Sequence, residues 1–235
     1  MIYKLWYWPS VQGRGEFIRL ALEAGDIAYR DCARERGEDA LVERMNKIYS
    51  RRPFAPPFLE LDGFAIAQVA NILLYLAQRH DLAPSAMADL LWLNQIQLTI
   101  ADMLTEVHNV HHPVSPGAYY YEQKQEAARA ATQFRERRMP KYLQHFEAAA
   151  GANDGAWMID DRWTFVDTSL FQLIEGLRYM FPKRMATLEP DLPGLVRIHD
   201  QVAALPRIQA YLASDRRIAF NDDDLFRRYA ELDGA

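Results

Sequence analysis

The hydrophobic pattern of the first eighty residues changes its period several times. The apolar and aromatic run YKLWYW (3–8) is typical of a strand and ends at Pro9, whereas the apolar positions from Gly13 to Gly25 recur with helical spacing. A second strand is predicted over 27–31, and a helix with loops over 36–50. The segment PPFLELDG (56–63) predicts a strand that ends at an Asp-Gly turn, with FAIA as its hairpin partner and a buried helix after it. This order indicates a small α/β domain.

The rest of the chain shows almost no strand pattern. Helical spacing is found over 86–112, 118–150, 164–180 and 191–213, and the tail is a candidate for one more helix, which the acidic run 222–224 would cap. We therefore predict an α/β domain over 1–81, a linker of proline and small residues over 82–87, and an all-α helical bundle over 88–235. Thr164 and Asp167 have the spacing of a reciprocal helix cap.

Composition narrows the classes of function. The 235 residues are half hydrophobic and a quarter charged, which suits a soluble protein of two modest domains. The net charge of -5 disfavours a nucleic-acid or anionic-membrane partner, and charges interrupt every apolar run before it reaches spanning length. The start MIYKLWYW has no pattern of an export signal, and the single cysteine, Cys32, suits a reducing compartment and is expected to be inert. We expect a cytoplasmic protein.

Four blocks of the sequence resemble cytosolic glutathione transferases of the tyrosine type, in a bacterial-like form. They are YKLWYWPSVQGRGEFIRLALEAG, PPFLELDGFAIAQVANILLYLAQRHDL, DRWTFVDTSLFQLI and LVRIHDQVAALPRIQAYLAS, in the family's order and spacing over nearly the whole chain. The resemblance implies a thioredoxin-like N-terminal domain, a helical-bundle C-terminal domain and a homodimer. It also implies a detoxification enzyme that uses glutathione as co-substrate, without a metal, against a small-molecule electrophile or a peroxide.

Two other functions fit the same scaffold. One is a glutathione-dependent isomerase or disulfide reductase, and the other is a binding protein that resembles the transferases but has lost turnover.

The implied chemistry needs a thiolate, and a free thiol with a pKa near 8.5 is only ~3% ionised at neutral pH. One hydrogen bond to a charged acceptor supplies ~1.5–3 kcal/mol, which is about enough to lower that pKa by one to two units. Two hydroxyls lie where the first strand meets the first helix. The resemblance puts Tyr7 at the position of the donor, Ser10 is its rival, and Arg14 matches a basic residue that supports the thiolate.

The resemblance also implies the glutathione-binding residues. Pro57 would follow a cis peptide bond, and Pro56 would pair its backbone with the cysteinyl part of glutathione, although proline has no N–H to donate. Gln68 and Val69 would hold the γ-glutamyl carboxylate at a helix start, where Val69 offers only its N–H. Asp102 matches an acidic residue that reaches the glutathione amino group bound by the partner subunit.

The acceptor pocket is assigned to Trp8, Val11, His108 and His112. His108 and His112 are four residues apart on a predicted helix, a spacing that can also bind a metal. Pro113 ends that helix and no companion motif is present, so we interpret the histidines as pocket residues.

Overall fold

The computed structural model describes residues 2–152, 155–159 and 161–234. The first part of the chain contains four strands and four helices. They are β1 (Tyr3–Trp6), α1 (Gly15–Ala24), β2 (Tyr29–Asp31), α2 (Cys32–Arg36), α3 (Glu38–Asn46), β3 (Phe58–Leu61), β4 (Phe64–Ala67) and α4 (Val69–His80). This confirms the predicted α/β order, although the short α2 was not predicted, because the helix expected over 36–50 corresponds to α3 alone.

The four strands form one mixed sheet in the order β2-β1-β3-β4. β1 runs parallel to β2 and antiparallel to β3, and β3 and β4 form the predicted hairpin. β1 ends at Trp6, two residues earlier than predicted, because the chain leaves the sheet there and turns at Pro9 and Ser10 towards α1. Tyr7 therefore lies just beyond the end of the central strand.

Two hydrophobic clusters separate the faces of this sheet. Leu5 and Leu59 face a large core that continues into the helical part of the chain. Trp6 and Phe58, their neighbours along the strands, belong to a smaller cluster with residues of α2 and α3. This alternation is what a sheet covered on both faces requires. Cys32 lies buried in the smaller cluster, where burial raises the pKa of its thiol, as expected of an inert cysteine.

The second part of the chain is helical, as predicted. Its helices are α5 (Met87–His111), α6 (Lys124–Gln133), α7 (Met139–Gly151), α8 (Phe165–Met180), α9 (Pro182–Leu188), α10 (Pro193–Ala204) and α11 (Pro206–Leu212). The predicted helix over 191–213 is interrupted at Leu205, since Pro206 starts a new helix. Among the described residues, no helix combines the length and apolar character needed to cross a bilayer.

Helix α8 lies at the centre of the bundle, with nearly every side chain buried. Its start confirms the predicted reciprocal cap. Oδ2 of Asp167 accepts hydrogen bonds from the N–H and the hydroxyl of Thr164, both at 2.7 Å, and Thr164 Oγ1 accepts from the N–H of Val166.

The predicted tail helix is wrong. From the end of α11 to Gly234 the structure contains only one short 3-10 turn, Ala230–Leu232. Asp224 does not cap a helix in the tail. It is 2% exposed, and its carboxylate accepts hydrogen bonds from the segment that leads into α1. The tail is thus an irregular segment that contacts both the stretch before α1 and the start of α9.

Candidate active site

Tyr7 is held in the turn between β1 and α1 by two glycines. A Cβ atom at Gly13 would overlap the Tyr7 hydroxyl oxygen, and one at Gly15 would lie 2.6 Å from Cδ1 of its ring. Gly13 also has φ +44°, a backbone conformation that other residues rarely adopt. The phenol ring consequently packs directly on the backbone of the helix start, and the side chain is only 6% exposed.

The Tyr7 hydroxyl is hydrogen-bonded as an acceptor. The backbone N–H of Arg14 donates to its oxygen at 2.9 Å, which leaves the phenolic proton free for a second partner. Burial raises the pKa of Tyr7, against the opposing effects of the Arg14 N–H and the charges of Arg14 and Arg19. Arg19 lies beneath the ring, with its guanidinium carbon 5.9 Å from the centroid. At neutral pH the phenol is therefore protonated and able to donate.

The register of the sheet aligns three of the predicted site positions. Trp6 pairs with Phe58, and Phe58 pairs with Ala67. One step further along each chain, Tyr7, Pro57 and Gln68 succeed one another across the same end of the sheet. The peptide bond between Pro56 and Pro57 is cis, as predicted.

Gln68 immediately precedes α4 and has an unusual backbone. Its φ of +70° is rare for a residue with a side chain, and such conformations cost about 1–3 kcal/mol and concentrate at binding sites. Its side chain is exposed, whereas Val69 is buried. The first N–H groups of α4 thus lie beside an exposed amide side chain, a polar arrangement suited to a carboxylate.

Ser10, the rival donor, is placed differently from Tyr7. It is exposed in the turn, and its carbonyl oxygen accepts a hydrogen bond of 2.9 Å from Nδ2 of Asn221. Within the described part of the chain, no hydrogen bond involves its hydroxyl group.

Asp102 lies on an exposed face of α5 and has no ion pair among the residues that the structure describes. The structure does not bring it to Tyr7 within one chain.

The histidines at the end of α5 form a compact cluster. His108 and His112 stack with ring centroids 4.9 Å apart, and both contact the ring of His111. Burial lowers the pKa of His108 to about 4 and of His111 to about 3. The charge of Arg14 contributes to the shift at His108, which links this cluster to the Tyr7 side of the molecule. All three imidazoles are therefore neutral at neutral pH.

The ring nitrogens of this cluster are partly occupied by the backbone. Over the described ranges, no group of three or more His, Cys, Asp or Glu side chains is arranged to hold a metal ion. Two of the ring nitrogens bind the backbone instead, since Nε2 of His111 donates to the Leu225 carbonyl and Nδ1 of His112 to the Ala118 carbonyl, each at 3.0 Å. Trp8 packs in the smaller hydrophobic cluster, and its place in an acceptor pocket stays a prediction.

Sequence reasoning missed the residues that the tail brings to this region. Asp224 accepts from the N–H groups of Gln12 and Gly13, and the Arg227 guanidinium donates to the Asp224 carbonyl at 2.9 Å. The charge of Arg227 lowers the pKa of His111 and His112, after burial. The acidic run 222–224 was the available signal, but its spacing pointed to a helix cap.

Comparisons with known proteins agree with this architecture. Residues 108–215 match a family model described as the C-terminal domain of glutathione S-transferase. A glutathione S-transferase of Plasmodium yoelii yoelii is 22% identical, covering 89% of this chain and 92% of the relative. A hematopoietic prostaglandin D synthase of Mus musculus is 28% identical, covering 89% and 94% respectively. The crystal structure of the glutathione S-transferase from Ascaris lumbricoides superposes with a TM-score of 0.67 at 23% identity, covering 91% of this chain and 97% of that one.

The fold is therefore that of the glutathione transferases, with the sheet domain first and the helical bundle after it. The family model and the relatives support the glutathione S-transferase family, and the class of protein that they indicate is an enzyme, a glutathione S-transferase.

Proposed function

We propose that this protein is a glutathione transferase of the tyrosine type, in which Tyr7 donates a hydrogen bond to the glutathione thiolate. The observation that carries this proposal is the bond from the Arg14 N–H to the Tyr7 oxygen. Because the Arg14 N–H binds the hydroxyl oxygen, the O–H bond of Tyr7 points in another direction. Accepting this hydrogen bond also makes the hydroxyl a stronger donor. The start of α1 and the charges of Arg14 and Arg19 add positive potential where the thiolate would form. The bacterial-like subtype stays a prediction, since the relatives reported above are eukaryotic.

Glutathione would lie along the end of the sheet that Tyr7, Pro57 and Gln68 share. The Pro56 carbonyl would accept from the cysteinyl N–H of the tripeptide, but Pro56 offers no N–H in return. Gln68 and the N–H of Val69 would hold the γ-glutamyl carboxylate at the start of α4. Glutathione is the co-substrate in this proposal, and no metal takes part.

A homodimer would complete the site through Asp102. Met87, Leu91 and Leu98 are each at least half exposed and lie on one side of α5 at helical spacing, with Asp102 on the same side. An uncovered apolar stripe is typical of an interaction surface, and in a dimer formed through it the carboxylate of Asp102 would reach the glutathione amino group of the partner.

Light scattering tests the dimer. The mass should be about twice the chain mass of 27.2 kDa, and Leu98→Glu should lower it towards that of one chain. A wild-type monomer at micromolar concentration would contradict both the dimer and the role of Asp102.

The acceptor pocket would be formed by Val11, His108 and His112, together with Trp8. The neutral imidazoles and Val11 offer an apolar lining for a small-molecule electrophile or a peroxide. Arg14 and Arg227 add positive charge beside the histidines, which favours electrophiles that carry a carboxylate or another negative group.

Two alternatives have a specific observation behind them. The similarity to a relative named prostaglandin D synthase supports, as the second candidate function, an isomerase or a disulfide reductase that uses the same glutathione thiolate. The missing donor at Pro56 and the missing hydroxyl at Val69 favour a binding protein without turnover. We expect a cytoplasmic detoxification enzyme in preference to either.

Parallel assays separate these functions. Conjugation of chlorodinitrobenzene, reduction of a hydroperoxide and reduction of a mixed disulfide should be measured on one preparation, with glutathione binding followed by calorimetry. Turnover in the first two assays supports the transferase, and turnover in the third alone supports the reductase. Binding of glutathione without turnover in any assay would leave only the isomerase and the binding protein, and no binding at all would refute the proposal.

A further inference from the structure

The C-terminal tail is fastened to the rest of the molecule by two buried aspartates. Asp233 accepts hydrogen bonds from the N–H groups of Lys183 and Arg184 at the start of α9, at 2.8 and 3.2 Å. Asp224, which lies nine residues earlier in the sequence, makes an equivalent contact: its Oδ2 accepts from the Gln12 N–H at 3.0 Å and its Oδ1 from the Gly13 N–H at 2.7 Å. The two contacts have the same chemistry, but only the second touches the segment that leads into α1.

The segment that Asp224 holds is the one that binds Tyr7. Three consecutive backbone N–H groups point to two acceptors: those of Gln12 and Gly13 to the Asp224 carboxylate, and that of Arg14 to the Tyr7 oxygen. Because peptide planes are rigid, fixing the first two N–H groups restricts where the third can lie. Gly13, with its positive φ, is the flexible joint that the carboxylate immobilises.

Further contacts keep Asp224 in this place. Its own Oδ1 also accepts from the N–H of Leu225 at 2.6 Å, and the side chain of Gln12 donates to the Ile218 carbonyl. Asn221 donates to the carbonyl of Ser10 at 2.9 Å. The tail therefore contacts the segment before α1 at three positions, Ile218, Asn221 and Asp224.

We propose that Asp224 is a positioning residue of the active site, which holds the Gln12–Gly13 backbone so that the Arg14 N–H reaches the Tyr7 hydroxyl. This inference rests on the proposed function only in its consequence for glutathione, because the contacts themselves lie within the chain. In this role the C-terminal tail is part of the thiol-activating machinery, although Asp224 touches neither the thiol nor the acceptor.

The charge of Asp224 and its hydrogen bonds to the turn should have opposite effects on the pKa of the bound thiol, which makes the proposed role testable. Its negative charge raises the pKa of Tyr7 and disfavours a thiolate nearby. Its hydrogen bonds to the turn keep the Arg14 N–H in place to bind the Tyr7 oxygen, which makes the Tyr7 hydroxyl a better donor. Asp224→Asn removes the charge and leaves one carbonyl oxygen for the three backbone N–H groups that the carboxylate accepts from. If charge were the whole effect, the bound thiol would become more acidic, whereas loss of positioning makes it less acidic.

The main experiment is a titration of the bound glutathione thiolate by ultraviolet absorbance in the wild type, Asp224→Asn, Asp224→Glu and Asp233→Asn. We expect the apparent pKa of the thiol to rise by about one unit in both Asp224 variants, with about tenfold less conjugation at neutral pH. Asp233→Asn is the matched control, since it loses the same kind of helix-start contact away from Tyr7. It should lower stability without moving the thiol titration.

Asp224→Glu keeps the charge and displaces the carboxylate by one methylene, so it tests positioning even if Asp224→Asn does not fold. A thiol titration that is unchanged or shifted to lower pH in a folded Asp224 variant would overturn the proposal.

Hydrogen exchange in the absence of glutathione separates this proposal from the proposed function. Exchange at the amides of Gln12, Gly13 and Arg14 should be about tenfold or more faster in Asp224→Asn than in Asp233→Asn. If this difference is found but wild-type protein forms no thiolate, the proposed function fails and the positional role of Asp224 stands. Equal exchange in the two variants would show that the carboxylate does not hold the turn.

Discussion

Replacement of Tyr7 by phenylalanine is the most direct perturbation of the candidate site. The change removes one oxygen atom and leaves the ring between Gly13 and Gly15, where the space is too small for the ring to be displaced far. It also leaves the N–H of Arg14 without its acceptor. We therefore expect a folded protein that has lost the proposed thiol donor, with a stability cost of about 1–3 kcal/mol for the unpaired buried N–H.

The effect on the thiol follows from the strength of one hydrogen bond. A bond to a charged acceptor contributes ~1.5–3 kcal/mol, and each unit of pKa corresponds to ~1.36 kcal/mol. Tyr7→Phe should therefore raise the pKa of bound glutathione by about one to two units. Conjugation at neutral pH should fall by roughly ten- to a hundredfold, and part of it should return at high pH, where the thiol ionises without a donor.

The measurement is the ultraviolet absorbance of the thiolate against pH, with glutathione bound, for Tyr7→Phe and for Ser10→Ala. Ser10→Ala is the control because its hydroxyl occupies the same turn but is exposed, and it should shift the titration little. A shift in Ser10→Ala together with an unchanged titration in Tyr7→Phe would show that the serine activates the thiol and that our assignment of Tyr7 is wrong.

Three further predictions concern the surroundings of this donor. Gly15→Ala should displace the Tyr7 ring and reduce conjugation about as strongly as Tyr7→Phe, whereas Gly151→Ala, where a Cβ atom meets nothing within 4 Å, should leave both activity and circular dichroism unchanged. Pro56→Leu restores a backbone donor worth ~0.5–1.5 kcal/mol, so calorimetry should show glutathione binding a few-fold to about tenfold more tightly; unchanged or weaker binding would contradict the proposed pose. Burial lowers the pKa of His111 from 6.5 to about 3, so between these two pH values the unfolded chain carries a proton on His111 that the folded chain does not. The free energy of unfolding should consequently fall as the pH drops below 6.5, and His111→Gln should flatten this dependence by up to ~1.4 kcal/mol per pH unit in urea titrations.

The fold could be predicted from the sequence where the information is local. The β3–β4 hairpin, α5 and α8 each follow from hydrophobic period and from turn or cap residues a few positions away. The break in the predicted helix over 191–213 was also local, since Pro206 was there to mark it. The order of elements and the turn that contains Tyr7 were therefore accessible without a structure.

The tail could not be predicted in this way, because its partners are remote. Asp224 accepts a hydrogen bond from the N–H of Gln12, although the two residues are 212 positions apart in the chain. A run of three aspartates after a helix has a local interpretation as a helix cap. Arg227 is similar, since its effect on His111 and His112 depends on the path of the tail across the end of α5. Long-range polar contacts have no period, so pattern analysis has no means of finding them.

The balance of charge around Tyr7 explains why an aspartate can serve in this position. A carboxylate beside a thiolate is unfavourable, and Asp224 is buried, where its charge is poorly screened. Its oxygens are occupied by three backbone N–H groups, which stabilise the negative charge where it lies. Arg14 and Arg19 act on the phenol in the opposite direction. Burial nevertheless raises the pKa of Asp224, so the three N–H groups offset only part of the cost of its charge. The carboxylate can order the turn because these hydrogen bonds hold it in place, while Arg14 and Arg19 oppose its effect on the Tyr7 phenol.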